Sequence, residues 1–208
     1  MIVVIDYGLG NLRSVAKALE ICGAQVRITG EPLAIKNADA LVLPGVGAFD
    51  RGMENLHKRG IVSVLLKAIK EGKPLLGICL GLQLLFTRSE EGGVYEGLDV
   101  VKGEVKKFRK VAKIPHMGWN NVKFKRQKAK GKIDIFDGIP DNSYFYFVHS
   151  YYANPEEKDI IATTTIYGGE FTSAIARNNL WGVQFHPEKS GDLGLRILKN
   201  FIRIIDKC

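Results

Sequence analysis

Residues Pro74 to Phe86 read Pro-Leu-Leu-Gly-Ile-Cys-Leu-Gly-Leu-Gln-Leu-Leu-Phe, and this stretch decides the fold. Its first part is a short apolar run, which predicts a buried strand over Pro74–Ile78. Its second part predicts a helix from Leu80 to about Thr87. Cys79 stands at the junction, between two glycines that give a tight strand-to-helix turn the room it needs. The pattern is typical of a nucleophile elbow.

Cys79 is a candidate nucleophile because of where this turn puts it. Gly77 and Gly81 let its side chain project at the start of a helix, where unpaired backbone N–H groups favour thiolate over thiol. The alternative is a small buried hydrophobic residue, since free cysteines are among the most buried residue types. We assign that structural role to Cys22, which lies in an amphipathic segment, and the nucleophilic role to Cys79.

A second segment about a hundred residues later supplies two partners for a nucleophile. It reads Trp181-Gly-Val-Gln-Phe-His-Pro-Glu188, and its apolar part predicts a strand over Leu180–Phe185. Alternate side chains of an extended chain point the same way, so His186 and Glu188 can meet. We expect His186 to act as base and acid and Glu188 to orient it. The alternative is a histidine that only satisfies a structural hydrogen bond.

The rest of the chain alternates apolar runs with amphipathic segments and then becomes rich in strands. We therefore expect residues 1–208 to form a single α/β domain, an open three-layer sandwich with a mostly parallel, mixed central sheet. The other predicted strands are Ile2–Asp6, Gln25–Thr29, Ala40–Leu43, Val101–Phe108, Asn120–Phe124, Tyr144–Ala153, Ile160–Tyr167 and Ser173–Arg177, and the other predicted helices are Leu12–Cys22, Phe49–Lys58, Ile61–Glu71 and Gly191–Ile205.

The composition agrees with one enzyme-sized unit. A chain of 208 residues with 46% hydrophobic content can bury a sizeable core. The sequence starts directly with a strand and contains no apolar run of membrane-spanning length, so we expect a cytoplasmic protein that does not associate with membranes. Three separated cysteines without a Cys-x-x-Cys pair predict reduced thiols and no metal site. No cofactor is predicted.

The net charge of +8 is concentrated in one part of the chain. Between Lys102 and Lys132 there are twelve lysines and arginines against one acid, Glu104. A basic run of this kind raises the question of nucleic-acid binding. No helix-turn-helix, RNA-binding aromatic signature or zinc finger accompanies it, so we expect no nucleic acid as a partner. A contribution to attracting an acidic protein surface is more economical.

Several of these loops should converge on one cleft. Ligands of open α/β sheets bind beyond the carboxyl ends of the strands, where Asp6-Tyr-Gly, Pro44-Gly-Val-Gly47, Cys79 and His186 all fall. We expect the backbone of Val46 and Gly47, together with the Leu80 amide, to form an oxyanion hole. A peptide rotation is easiest at Val46, which lies between two glycines. The alternative for this loop is an ordinary tight turn.

The two catalytic segments resemble the class I, or triad-type, glutamine amidotransferases. More narrowly, the chain is similar to the glutaminase subunits of imidazole glycerol phosphate synthases, and no triad position departs from the pattern. The resemblance implies a flavodoxin-like fold and runs from the first residues to the last helix. The segments that carry it are Gly77-Ile-Cys-Leu-Gly-Leu-Gln83, Asp6-Tyr-Gly-Leu-Gly-Asn11, Pro44-Gly-Val-Gly-Ala-Phe49, Pro115-His-Met-Gly-Trp-Asn120, Phe147-Val-His-Ser-Tyr151 and His186-Pro-Glu-Lys-Ser190.

The resemblance implies the reaction and its partner. L-Glutamine is hydrolysed to glutamate through a cysteinyl thioester on Cys79. The ammonia enters a (β/α)8 cyclase subunit in a heterodimer, and the cyclase makes imidazole glycerol phosphate and AICAR in histidine biosynthesis. Because free ammonia becomes protonated in water, the donor site should open into a shielded passage.

The resemblance also implies contacts to substrate and partner. It places Gln83, Glu91, Ser150 and Tyr151 on glutamine, with Glu91 receiving the α-ammonium group. It places four further residues at or near the synthase interface, namely Asn11, Met117, Trp119 and Lys189.

General arguments leave alternatives for some of these residues. A glutamine in an apolar helix can simply bond a neighbouring backbone group, and Glu91 stands beside Glu90 on what can be a solvent face. Met117 and Trp119 can belong to the core of this chain.

Two other functional classes stay open at this stage. One is a Cys-His-Glu amidase that acts on another amide or ester. The other is a catalytically silent regulatory binding subunit.

Overall fold

The computed structural model describes residues 1–109, 111, 113–125 and 134–206 of the chain. Residues 110, 112 and 126–132 of the basic run, together with residues 133, 207 and 208, therefore lie outside the described residues. The strands are β1 (Ile2–Ile5), β2 (Val26–Thr29), β3 (Ala40–Leu43), β4 (Leu75–Ile78), β5 (Phe86–Ser89), β6 (Tyr95–Glu96), β7 (Val101–Lys107), β8 (His116–Asn121), β9 (Lys123–Phe124), β10 (Tyr144–His149), β11 (Tyr151–Pro155), β12 (Ile161–Ile166), β13 (Glu170–Arg177) and β14 (Leu180–Val183).

One long mixed sheet organises the molecule. Its strand order is β2-β1-β3-β4-β14-β13-β11-β7-β5-β6, and β12 and β9 extend it beside β13. The contiguous block β2-β1-β3-β4-β14 is parallel throughout. Beyond β14 most pairings are antiparallel. This agrees with the predicted α/β sandwich and its mixed central sheet.

Helices cover both faces of the parallel block. For this reason β1, β3, β4 and β14 are buried along their whole length. Alternate side chains of each strand enter opposite cores. Ile2 and Val4 join one core, and Val3 and Ile5 join the other. The helices are α1 (Leu12–Ile21), α2 (Pro32–Asn37), α3 (Phe49–Lys58), α4 (Ile61–Lys70), α5 (Leu80–Leu84) and α6 (Gly191–Ile205).

The layers follow from which helices share a core. Val15 of α1 packs with Phe201 of α6 on one side of the sheet. Met53 of α3 and Leu65 of α4 pack on the other side. The result is three layers, helix, sheet and helix. None of the described helices is long and apolar enough to cross a membrane.

Several predicted elements were wrong in their extent. The predicted strand Asn120–Phe124 is divided between the end of β8 and β9, the strand predicted to start at Ser173 starts at Glu170, and the one predicted to end at Phe185 ends at Val183. The elbow helix ends at Leu84, because Phe86–Ser89 leaves the helix and pairs in the sheet as β5. The predicted strand Tyr144–Ala153 is divided at Ser150 into β10 and β11. β11 belongs to the main sheet, whereas β10 pairs only with β8 as a separate antiparallel ribbon within the described residues. The apolar alternation runs through the break, so the pattern alone gives no sign of it.

Candidate active site

Cys79 lies at a strained turn between β4 and α5. Its backbone has φ 53° and ψ −107°, a left-handed region that costs a non-glycine residue about 1–3 kcal/mol. Its amide donates to the Val183 carbonyl of β14 at 2.8 Å. A Cβ at Gly81 would overlap the Leu43 carbonyl oxygen, and one at Gly77 would lie 2.9 Å from the Gly81 oxygen. The two glycines therefore make the elbow sterically possible, as the sequence predicted.

His186 and Glu188 form a buried pair behind the cysteine. The His186 Nδ1–H donates to Glu188 Oε1 at 2.8 Å, and both side chains are almost fully excluded from solvent. The predicted pairing is confirmed, although the chain between them is a 3₁₀ turn over Pro187–Lys189 rather than an extended strand. The ribbon fixes the histidine, since the His186 amide donates to the Tyr146 carbonyl at 2.9 Å.

The free ring nitrogen of His186 is the one available for chemistry. Among the described residues, Nε2 is buried without a hydrogen-bond partner. Burial by itself lowers the pKa of His186, but the Cys79 side chain and the Glu188 carboxylate outweigh it and raise the pKa to about 10. The imidazole is therefore protonated at neutral pH and can stabilise a thiolate on Cys79.

A cavity of about 340 Å³ opens over the sulfur. Of the four loops predicted to converge at the carboxyl edge, those at Val46–Gly47 and Cys79 line this cavity, whereas Asp6-Tyr-Gly8 and His186 do not belong to its lining. Every predicted oxyanion and substrate residue lines it. The lining consists of Val46, Gly47, Cys79, Leu80, Gln83, Glu91, Pro115, Val148, His149, Ser150 and Tyr151.

The Gly45–Gly47 loop carries a backbone carbonyl that bonds one of the predicted oxyanion donors. The Leu80 amide, expected as an oxyanion donor, donates to the Gly45 carbonyl at 3.3 Å. Tyr7, which is fully buried, donates its hydroxyl to the Pro44 carbonyl at 2.8 Å. Gly47 has φ 113°, and Val46 is 40% exposed. The Gly45 carbonyl thus occupies the donor that an oxyanion would need.

Glu91 is a half-buried carboxylate at one end of the cavity. It accepts the Phe49 amide at the start of α3 at 2.9 Å. Burial raises the pKa of Glu91, and the Phe49 hydrogen bond opposes this only in part. The structure does not bear out the solvent-face alternative, and it leaves a carboxylate without a neighbouring cation in the part of the cavity that is described.

Gln83 bonds a backbone carbonyl, as the alternative for this residue held, and it also belongs to a buried side-chain network that the sequence did not reveal. Its Nε2 donates to the Tyr151 carbonyl at 2.9 Å and to Gln184 Oε1 at 3.1 Å. Gln184 Nε2 in turn lies 3.6 Å from Cys79 Sγ. Gln184 is two residues before His186, so strand alternation applied to this segment is the signal that could have found it.

Two further histidines complete this network. His149 Nδ1 bonds the Tyr151 carbonyl at 2.8 Å, and its Nε2 meets His116 Nδ1 at 2.9 Å. Asn120 Nδ2 reaches His116 Nε2 at 3.2 Å. Burial lowers the pKa of His149 to about 3 and that of His116 to about 4. Both rings are therefore neutral at physiological pH, and the network is built from neutral hydrogen bonds.

The predicted interface residues come from three parts of the chain, namely the ribbon strand β8, the turn after His186 and the segment before α1. Met117 and Trp119 of β8 are 58% and 56% exposed, which excludes them from the core of the isolated chain. Trp119 meets the Tyr146 ring edge-on, and the Lys189 ammonium lies 6.0 Å from the centre of that ring. Asn11 immediately precedes α1, after the first of the cleft loops.

Much of the basic run that the structure describes is neutralised within the chain. Among its described members, ion pairs join Lys102 to Asp99, Lys106 to Glu104, Arg109 to Glu90, and Lys125 to Glu170. Among the described residues, no group of three or more His, Cys, Asp or Glu side chains is arranged to hold a metal ion.

Comparison with known proteins agrees with this site. A family model described as "Glutamine amidotransferase class-I" matches residues 3–205. The imidazole glycerol phosphate synthase subunit HisH of Moorella thermoacetica is 52% identical over 204 residues, covering 98% of this chain and 95% of that protein. The HisH subunit of Caldanaerobacter subterraneus is 50% identical over the full length of both proteins.

A solved structure shows the same fold. The crystal structure of a glutamine amidotransferase aligns with a TM-score of 0.74 at 17% identity, covering 99% of this chain and 98% of that one. The matches over nearly the whole chain show that it belongs to the class I glutamine amidotransferases and, within them, to the HisH subunits of imidazole glycerol phosphate synthase.

Proposed function

We propose that this chain is the glutaminase subunit of an imidazole glycerol phosphate synthase. Residues 1–208 act as one glutaminase domain that hydrolyses L-glutamine to glutamate and ammonia. The ammonia passes to a (β/α)8 cyclase subunit, which forms imidazole glycerol phosphate and AICAR in histidine biosynthesis. The observation that carries the proposal is the cavity in which an elbow cysteine, backed by a buried His186–Glu188 pair, faces Glu91.

The first step is attack of the Cys79 thiolate on the side-chain amide carbon of glutamine. The protonated His186 stabilises the thiolate before attack. It then gives its Nε2 proton to the amide nitrogen as the carbon–nitrogen bond breaks, which leaves a thioester on Cys79 and releases ammonia. Glu188 accepts the hydrogen bond from the His186 Nδ1–H throughout. This keeps the ring in one orientation, with the reactive Nε2 toward the sulfur.

The second step returns the enzyme to its starting state. Neutral His186 takes a proton from water, the hydroxide adds to the thioester carbon, and the carbon–sulfur bond breaks to give glutamate and the thiolate. Each tetrahedral intermediate carries an oxyanion that needs backbone donors. For Leu80 to supply one, the Gly45 carbonyl must turn away, and rotation of the Gly45–Val46 peptide would bring the Val46 amide in as the second donor.

The substrate is held by the opposite end of the cavity. The Glu91 carboxylate binds the α-ammonium group, which supplies the opposite charge that a half-buried carboxylate favours. The Gln83 side chain and the backbone at Gly47, Ser150 and Tyr151 hold the rest of the amino acid. These residues all line the cavity.

The cyclase docks on the face that carries the exposed ribbon. Asn11, Met117, Trp119 and Lys189 form this docking face. An exposed tryptophan beside a methionine suits the centre of an interface. Pro115, two residues before Met117, lines the cavity, so a partner on this face lies beside the cavity and shields the departing ammonia from bulk water, where it would become ammonium.

The proposal is tested by Cys79→Ala in the complex with the cyclase subunit. We expect glutamine-dependent synthesis to vanish and ammonia-dependent synthesis to remain, because the substitution removes only the nucleophile.

Glutamate release by the unsubstituted chain should be feeble alone and rise sharply with the cyclase and its ribonucleotide substrate. Loss of both syntheses would refute the division of labour. A silent regulatory subunit would form no thioester with glutamine, and an amidase of other specificity would not respond to the cyclase.

Glu91→Gln tests the substrate contact. We expect KM for glutamine to rise about ten- to a hundredfold with little change in kcat, because a charge-assisted hydrogen bond contributes about 1.5–3 kcal/mol. The amide still accepts from Phe49, so the loop keeps its structure. The matched control is Glu90→Gln, since Glu90 pairs with Arg109 outside the cavity and its loss should leave KM unchanged. Equal effects of the two substitutions would contradict the contact.

Glu188→Gln tests the buried pair through pH. The pKa of His186 is raised from its ordinary 6.5 to about 10, so kcat should stay level to alkaline pH and fall as the imidazolium loses its proton near 10. Removing the carboxylate removes one cause of that rise. The alkaline limb of the kcat profile should therefore move to lower pH, and an unmoved limb would argue against the pair.

Trp119→Ala tests the docking face. We expect the dissociation constant for the cyclase to rise about thirtyfold, since central interface tryptophans contribute about 2 kcal/mol or more. Analytical ultracentrifugation of the mixture gives both the constant and the mass of the complex. Leu33→Ala is the control, because Leu33 is also an exposed hydrophobic residue but lies on α2. Unchanged affinity for the Trp119 variant would place the interface elsewhere.

A further inference from the structure

Gln184 is a fully buried polar side chain that the proposed reaction does not use. It follows β14 directly and is 0% exposed. Its backbone amide donates to the Ser173 carbonyl at 2.9 Å, so its place in the sheet is secured without the side chain. Burying a primary amide is unfavourable unless its donors and acceptor are bonded. The question is therefore what this amide bonds.

The direction of the amide follows from its partners. The Tyr151 carbonyl can only accept, so the end of Gln83 that meets it must be Nε2. The same Nε2 also meets Gln184 at 3.1 Å, and the atom there must be the acceptor Oε1. The remaining end of Gln184 is a donor, and it lies 3.6 Å from Cys79 Sγ. The network thus aims an N–H group at the sulfur.

We propose that Gln184 positions the nucleophile. Its side-chain amide donates a hydrogen bond to the Cys79 thiolate and holds the sulfur at the floor of the cavity. The inference rests on the proposed function of Cys79. The parallel pairing of β4 and β14 sets Val183 opposite Ile78, so the residue after each strand lies beside the other. A donor at that point approaches the sulfur from the strand side.

The Gln184 donor matters because the charge on the Cys79 sulfur changes during the reaction. The sulfur is anionic before attack and neutral in the thioester, so a hydrogen bond from a neutral amide stabilises the resting thiolate most. His186 alone cannot fix the sulfur, because it must give up its proton during each cycle. Gln184 carries no proton that titrates, and it keeps the same orientation throughout.

The amide is itself held by a continuous series of buried bonds. From Gln83 the series runs through the Tyr151 carbonyl to His149, then to His116 and Asn120. The Tyr151 carbonyl can only accept, and this decides which atom of each side chain in the series donates and which accepts. Gln184 therefore cannot turn over without breaking its neighbours' bonds.

The experiment measures alkylation of Cys79 by iodoacetamide as a function of pH, without glutamine, in the chain bearing Gln184→Met. Methionine has a similar volume and no donor. We expect the pH at which the rate is half-maximal to rise by about one unit, because loss of a hydrogen bond to the charged sulfur disfavours the thiolate relative to the thiol. The other titratable groups around the sulfur, His186, Tyr7, His149 and Glu91, are unchanged in this variant.

Two controls accompany the measurement. Cys22, resolved from Cys79 by peptide mass spectrometry, should show the same profile in both proteins. Ser173→Ala removes a buried side-chain hydrogen bond to Thr163 on the neighbouring strand and should leave the Cys79 profile in place.

If Gln184→Met does not fold, Gln83→Met is used, which removes the donor that holds Gln184 Oε1. It should move the Cys79 profile in the same direction by a smaller amount.

An unmoved Cys79 profile in a folded Gln184→Met or Gln83→Met variant would overturn the inference. So would an equal shift in Ser173→Ala, because that would mean a general packing effect. The proposed function fails by a different result, namely no glutamine turnover by the unsubstituted chain with its cyclase. The two failures are therefore distinguishable.

Discussion

The whole site depends on the parallel pairing of β4 with β14. In this register Leu180 lies opposite Leu75 and Val183 opposite Ile78, and the Cys79 amide closes the ladder on the Val183 carbonyl. Parallel neighbours end at the same edge of a sheet, so the elbow and the histidine segment emerge side by side. A slip of one residue would turn the side chains of β14 to the other face and separate the cysteine from its partners.

The pairing is rigid because of what packs on both sides of it. The strands β1, β3, β4 and β14 are buried on both faces, and their side chains alternate between two apolar cores. A strained elbow survives only in such a setting, since the surrounding contacts must outweigh the unfavourable backbone angles of Cys79. Close approach of α5 to β3 at Gly81 is part of the same arrangement.

Within this frame, charge is confined to few positions. The protonated His186 and its partner Glu188 lie on one side of the Cys79 sulfur, and Glu91 lies at the other end of the cavity. Between them the network of Gln83, Gln184 and the two neutral histidines supplies hydrogen bonds without charge. Such a network orients the reactive groups and does not titrate in the range where the chain works.

The sequence by itself determined the local parts: the elbow around Cys79, the His186–Glu188 pair, the bounds of α3 and α6, and the α/β class. The elbow follows from glycine sterics, and the helices and the class follow from side-chain periodicity, which both act over a few residues. His186 and Glu188 do meet, but through a 3₁₀ turn and not through the strand alternation that predicted the pair. Tertiary structure alone decided that β10 leaves the main sheet at Ser150, that the Gly45 carbonyl takes the Leu80 amide, and that Gln184 faces the sulfur. Periodicity reports which face a residue is on, whereas the neighbour across a sheet and the direction of a peptide or amide are set by contacts between segments far apart in the chain.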